Sequence, residues 1–266
     1  MCIRDRFLPK HFFMALFLVG IGLGDADDIT LKGLELLRQA DKVYLENYTS
    51  VLNCDVKELE KVIGKKIETA NREVVEKKAE STLLQAANDG DCALLVVGDP
   101  LVATTHIDLM ERARNSGIPV RVVHNASIIS AIGATGLQVY KFGKTTSIPF
   151  SAKNYLPETP YLTIEENRKI GAHTLLLLDL QPEENRFMTI NDAIDYLLKL
   201  ELKHARKVFT RDTLCIGCAR IGAKDQLIRA GAAKDLQKVD FGRPVHCLVV
   251  PGKLHFMEEG FLQQFR

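Results

Sequence analysis

Three short loops carry the residues in this chain whose types and spacing could do chemistry. The first is Gly20-Ile21-Gly22-Leu23-Gly24-Asp25, where three glycines let backbone approach a ligand closely or simply form a tight turn. Its spacing is not the dinucleotide fingerprint, because G-x-G-x-x-G needs a glycine at position 25 and the aspartate there would repel a pyrophosphate. The second loop, Gly98-Asp99-Pro100, places a carboxylate after an apolar run. Such a group can accept hydrogen bonds from a ribose or an amine, or can serve as the turn residue that opens the next helix. The third, His124-Asn125-Ala126-Ser127-Ile128, offers Ser127 as an N-cap with free amides beside it. The common ligand is nucleoside-like and does not centre on phosphate, since no Walker A lysine motif occurs.

Other chemistries find little support. The seven histidines include no H-x-x-H or H-E-x-x-H pair and do not cluster with cysteine, so no metal site is expected. There is no G-x-S-x-G elbow for a hydrolase. Cys215-Ile216-Gly217-Cys218 spells C-x-x-C, but it lies in a strand-like run where positions three apart point to opposite faces, so it reads as two small buried residues. His246, flanked by Val245 and Cys247, reads as a buried histidine on a strand.

The elements that must position these loops alternate strand and helix from Met14 onward, the pattern of a parallel α/β sheet. Strands are predicted at Leu16–Gly20, Lys42–Glu46, Ile67–Ala70, Ala93–Gly98 and Val120–His124, with helices at Thr30–Ala40, Glu73–Ala87 and Thr105–Asn115. Thr105-x-x-Asp108 predicts a capping box on the last of these. A helix begins near Ser127, and a second series follows with strands at Thr146–Phe150, Thr174–Leu180, Leu214–Arg220 and Pro244–Val250. Helices are predicted at Ile164–Lys169, Ile190–Leu202 and Gln226–Leu236, the middle one capped by Thr189-x-x-Asp192. Residues 14–143 therefore read as one α/β domain and 144–266 as a second.

Size and composition agree. At 266 residues with 46% hydrophobic and 26% charged content, the chain can bury proper cores without disulfides. Thirty-five basic against thirty-four acidic residues leave a formal charge of +1, with no broad footprint for nucleic acid or anionic lipid. Six scattered cysteines fit a reducing cytoplasm. The apolar run Phe12–Leu23 imitates a signal peptide, but it is interrupted by glycines, runs directly into Gly24-Asp25 and lacks a cleavage site. Met14 reads as a natural start, and residues 1–13 as a non-native extension.

Read as whole phrases, the same loops resemble the diphthine synthases, methyltransferases of the tetrapyrrole methylase-like fold. The phrases are Leu18–Asp25 with Asp28–Glu35, Val43–Ser50, Val97–His106, His124–Ile128 and Gly136–Gly143. The resemblance implies a homodimer of two-domain subunits, a parallel-sheet N-terminal domain followed by a mixed-sheet C-terminal one, with S-adenosyl-L-methionine bound between the domains. It implies cofactor contacts from Leu23, Asp99, Val102, Ser127, Ile128, Leu178, Ile221 and His246. It further implies that the substrate is the aminocarboxypropyl-histidine of translation elongation factor 2, methylated repeatedly to diphthine. Proton loss from that amine is expected to run through water rather than a named side chain. The alternative within the fold is a tetrapyrrole methyltransferase; outside it, a nicotinamide-dependent oxidoreductase, against which the missing third glycine argues.

Overall fold

In the computed structural model, which describes residues 14–151 and 155–266, the apolar runs of the first half lie side by side in one parallel sheet. The segment 1–13 read above as an extension lies outside the described residues. The elements are β1 (Leu16–Gly20), α1 (Leu31–Gln39), β2 (Lys42–Glu46), α2 (Val56–Ile63), β3 (Glu68–Ala70), α3 (Gln85–Asp89), β4 (Cys92–Val96), α4 (His106–Asn115) and β5 (Val120–Val123). The strand order is β3-β2-β4-β1-β5, with Leu18 in register with Leu94 on one side and Val122 on the other. Successive β1 side chains feed opposite faces. Leu16 and Leu18 join Leu94, Leu83 and Leu109, whereas Phe17 and Val19 join Leu95, Leu37 and Leu59. A strand buried on both faces loses the polar alternation of a half-exposed one, which is why β1 and β4 read as continuous apolar runs.

The second sheet is mixed. Its elements are α5 (Ile128–Ala131), β6 (Thr146–Ile148), α6 (Thr159–Lys169), β7 (Thr174–Leu178), β8 (Leu180–Gln181), β9 (Arg186–Phe187), α7 (Ile190–His204), β10 (Leu214–Ala219), β11 (Leu227–Ala232), α8 (Ala233–Leu236), β12 (His246–Val250) and α9 (Phe256–Leu262). The order is β11-β10-β12-β7-β6, antiparallel except for the β6–β7 pair. It too is covered on both faces, by α6 and α7 residues such as Ile164 and Leu197 on one side and by Ile132, Leu137 and Leu262 on the other.

Several local expectations are corrected. The helix expected over Gln226–Leu236 is a strand followed by one helical turn: Ile228 and Ala230 are buried while Arg229 is exposed, a period of two that the alanines disguised. The helix expected from Ile164 starts at Thr159, with Pro160 tolerated in its first turn. Glu73–Ala87 is not one regular helix but two wide-turned stretches, Glu73–Lys77 and Glu80–Leu84, running into α3. Thr105 makes no side-chain cap, and Asp108 instead meets Arg112 Nε at 3.0 Å, one turn on. The Thr189–Asp192 capping box forms. Contacts divide the chain after Ala126, with Leu23–Asp25 grouped with the second unit, whereas the sequence drew the line at 143/144. The reason is that Ile132 and Leu137 bury against Leu175 and Ile216 of the second sheet. No described helix is long and apolar enough to cross a membrane.

Candidate active site

At the carboxyl edge of the first sheet the loops after β1, β4 and β5 meet, because β1 lies between β4 and β5. Gly20 makes the approach possible: a Cβ there would sit 2.6 Å from the Gly98 carbonyl and 2.9 Å from Asn125 Cβ. Gly22, at a φ of +77° that side chains rarely adopt, bridges to Gly98. Asn125 ties the loops together, donating from Nδ2 to the Gly20 carbonyl at 3.0 Å and to the Asp28 carbonyl at 2.9 Å.

Asp99 sits at the middle of this edge, buried. Its Oδ1 accepts the Leu101 N–H at 2.9 Å, and its Oδ2 accepts the Asn125 N–H at 3.1 Å and lies 2.8 Å from His124 Nδ1. Burial by itself raises the carboxyl, but the Leu101 and Asn125 amides and the His124 ring outweigh it and hold the group below the usual aspartate range. The two readings left open by the sequence thus coexist: Asp99 is a structural turn residue, and it is an ionised acceptor at a strand end. Val102 lies in the same loop, its N–H 3.3 Å from the Asp99 carbonyl.

In the second unit, Leu178, Ile221 and His246 come to one end of the sheet, since His246 opens β12 opposite Ala219 and Leu177 pairs with Cys247. Leu23 joins them, its Cβ lying 2.8 Å from where a side chain on Gly222 would begin. Ile221 and Ile128 share an apolar cluster, whereas Leu178 packs into the core on the opposite face, so their side chains are not brought together. Ser127 is buried at the N-cap of α5, where Ser130 Oγ accepts its N–H at 3.2 Å. His246 is 5% exposed. Its Nε2 lies 3.0 Å from the Arg243 carbonyl, so that nitrogen carries the hydrogen, and Nδ1 is a buried acceptor without a partner. Burial pushes this imidazole below its usual value, which keeps it neutral.

Sequence reasoning singled out neither Asn125 nor Arg220. Buried Arg220 donates from Nη1 to the Phe241 carbonyl at 2.8 Å and to the Arg243 carbonyl, and its Nε lies 2.9 Å from Asp225 Oδ2. It thereby fixes the same carbonyl that orients His246. Asn125 stood inside a quoted phrase and Arg220 at the end of a predicted strand, but their roles depend on strand order.

With this geometry in view, comparison with known proteins identifies the family. Residues 15–237 match the Tetrapyrrole (Corrin/Porphyrin) Methylases. The chain is 48% identical over 251 residues to a diphthine synthase of Methanocaldococcus jannaschii, covering 93% of this chain and 97% of that one. It is 43% identical over 270 residues to the diphthine methyl ester synthase of Dictyostelium discoideum, covering 95% and 98%. The chain belongs to the diphthine synthase family. A crystal structure of diphthine synthase superposes with a TM-score of 0.85 at 39% identity, covering 94% of this chain and 95% of that one.

Membership makes the chain an S-adenosylmethionine-dependent methyltransferase. The residues present suit that cofactor. An adenosyl group needs acceptors for amino and hydroxyl hydrogens, and each unit taken by itself offers one, the ionised Asp99 in the first and the buried lone pair of His246 Nδ1 in the second. Among the described residues no three of His, Cys, Asp and Glu stand close enough together to hold a metal ion. Cys215 and Cys218 fall in the apolar clusters on opposite faces of the second sheet, and Cys218 lies opposite Cys247 in the strand register.

Proposed function

We propose that this enzyme transfers methyl groups from S-adenosyl-L-methionine to the amino group of the aminocarboxypropyl-histidine of translation elongation factor 2, repeatedly, to form diphthine in diphthamide biosynthesis. The observation that carries this reading is likeness along nearly the entire chain to proteins named for diphthine and its methyl ester, from an archaeon and from a eukaryote. A tetrapyrrole methylase identity rests on the shared fold family alone.

In this reading Leu23, Asp99, Val102, Ser127, Ile128, Leu178, Ile221 and His246 hold the cofactor. Asp99 and His246 give it polar acceptors, Leu23, Val102, Ile128 and Ile221 give it apolar walls, and Leu178, whose side chain is turned into the core, contributes backbone at its strand end. The bound cofactor supplies a methyl group on a sulfonium already activated for displacement. The protein's contribution is placement: fixing an amine in line with the reacting carbon in a site shielded from water is worth about 7 to 11 kcal/mol in favourable cases. The enzyme works in the cytoplasm as a homodimer, with the elongation factor as its protein partner.

The deciding experiment incubates the protein with S-adenosylmethionine and elongation factor 2 carrying the aminocarboxypropyl-histidine, followed by mass spectrometry of that residue. Mass increments of whole methyl groups on the modified histidine are expected. An unmodified factor, together with methylation of a uroporphyrinogen- or precorrin-type substrate, would transfer the assignment to the tetrapyrrole branch.

A further inference from the structure

We propose that His124 is the proton acceptor of the methyl transfer, its Nε2 taking a proton from the substrate ammonium while its Nδ1–H remains on Asp99. The inference rests on the proposed reading that the acceptor is an amine, and it replaces direct proton loss to water.

The geometry sets the ring's chemistry. Nδ1 lies 2.8 Å from an oxygen of a carboxylate, which can only accept, so Nδ1 carries the hydrogen and Nε2 presents a lone pair. The two side chains differ sharply in exposure, 67% for His124 and 7% for Asp99, so the ring reaches outward from a buried anchor. That anchor is itself fixed by the Leu101 and Asn125 amides, and Asn125 is held by the carbonyls of Gly20 and Asp28. A buried carboxylate behind a histidine whose outer nitrogen faces outward is the arrangement by which a general base is oriented. Asp99 reaches the ring from the loop after β4. The ion pair with His124 is made by Asp99.

The reaction needs such a group. The amine of an aminocarboxypropyl group is an alkylammonium on the carbon that carries the carboxylate, and it is mostly protonated at pH 7. The N–H bond of the ammonium breaks toward Nε2, giving a neutral amine and an imidazolium paired with Asp99. The amine lone pair then forms the N–C bond as the methyl carbon's bond to sulfur breaks, and that electron pair remains on sulfur as a neutral thioether. The imidazolium returns its proton to solvent. Every further methyl placed on the same nitrogen requires one more proton loss, so the base would act in each cycle.

His124→Asn separates this role from a structural one, because the asparagine Nδ2 can still donate to Asp99. Cofactor affinity measured by calorimetry is expected to stay within about twofold of the parent. The kcat with modified elongation factor at pH 7 should fall about 100-fold, within the usual range for a lost general base. The deficit should shrink as pH rises toward 10, and added imidazole should restore part of the rate at pH 7. An unchanged kcat, an equal loss at every pH without imidazole rescue, or a loss confined to cofactor affinity would each overturn the proposal. If the parent enzyme fails to methylate the factor at all, the functional reading itself fails, which the same assay reports separately.

Discussion

Asp99 shows how much one buried carboxylate can carry. Its two oxygens hold the Leu101 and Asn125 amides and the His124 ring, and so join the loops after β4 and β5. Replacing it with alanine strands two amides, and a buried polar group left without a partner costs about 1 to 3 kcal/mol. Asp99→Ala is therefore expected to lower urea stability by about 2 to 4 kcal/mol and to weaken S-adenosylmethionine binding; unchanged values for both would remove it from the site. That Asp99 stood at a strand end was legible from the apolar run before Gly98. Its partner twenty-five residues away was not, because the pairing exists only once β5 is known to flank β1.

At the scale of elements, one buried carboxylate on α9 gathers four partners. Glu258, 1% exposed, accepts the Gln138 N–H at 2.9 Å, the His255 N–H at 2.7 Å and the Lys141 ammonium, and lies 3.1 Å from His173 Nε2. His173 in turn accepts the Gly252 N–H on Nδ1 at 3.0 Å, so its neutral ring is fully used. Burial opposes ionisation of Glu258, yet the His255 amide, Lys141, the Gln138 amide and His173 together bring its pKa down to about 2. A carboxyl depressed in the folded state stabilises above its unfolded value near 4.5 and loses that contribution as pH falls toward 2. Urea midpoints between pH 5 and pH 2 should therefore fall by an amount corresponding to up to about 3 kcal/mol, and Glu258→Gln should be less stable at pH 5 with a flatter acid limb. Capping at α7 was readable because Thr189 and Asp192 are neighbours in sequence. The Glu258 hub was not, since its partners span residues 138 to 255. Similarly, β11 escaped detection because Ala230, Gly231 and Ala232 carry almost no hydropathic contrast from which a period of two could be read.

For the molecule as a whole, each unit owns a sheet buried on both faces. The parallel character of the first sheet was legible in its continuous apolar strands, and the mixed character of the second came with the family resemblance. Residues 127–143 follow the first series in sequence, and their apolar residues pack with the second sheet.

The cysteines inherit this division. Cys92 is sealed in the first sheet, its thiol pushed up to about 12 by burial. Cys215, Cys218 and Cys247 are sealed in the second, and Cys54 is partly open to solvent. Because thiolate formation and access govern alkylation, a maleimide should modify Cys54 rapidly in the folded protein and the sealed four only when their surroundings open. Peptide-resolved labelling over time would then clock the opening of each half of the molecule separately, with Cys92 timing one half and Cys215 the other. Equal rates at the two would mean that the halves come apart as a single cooperative body.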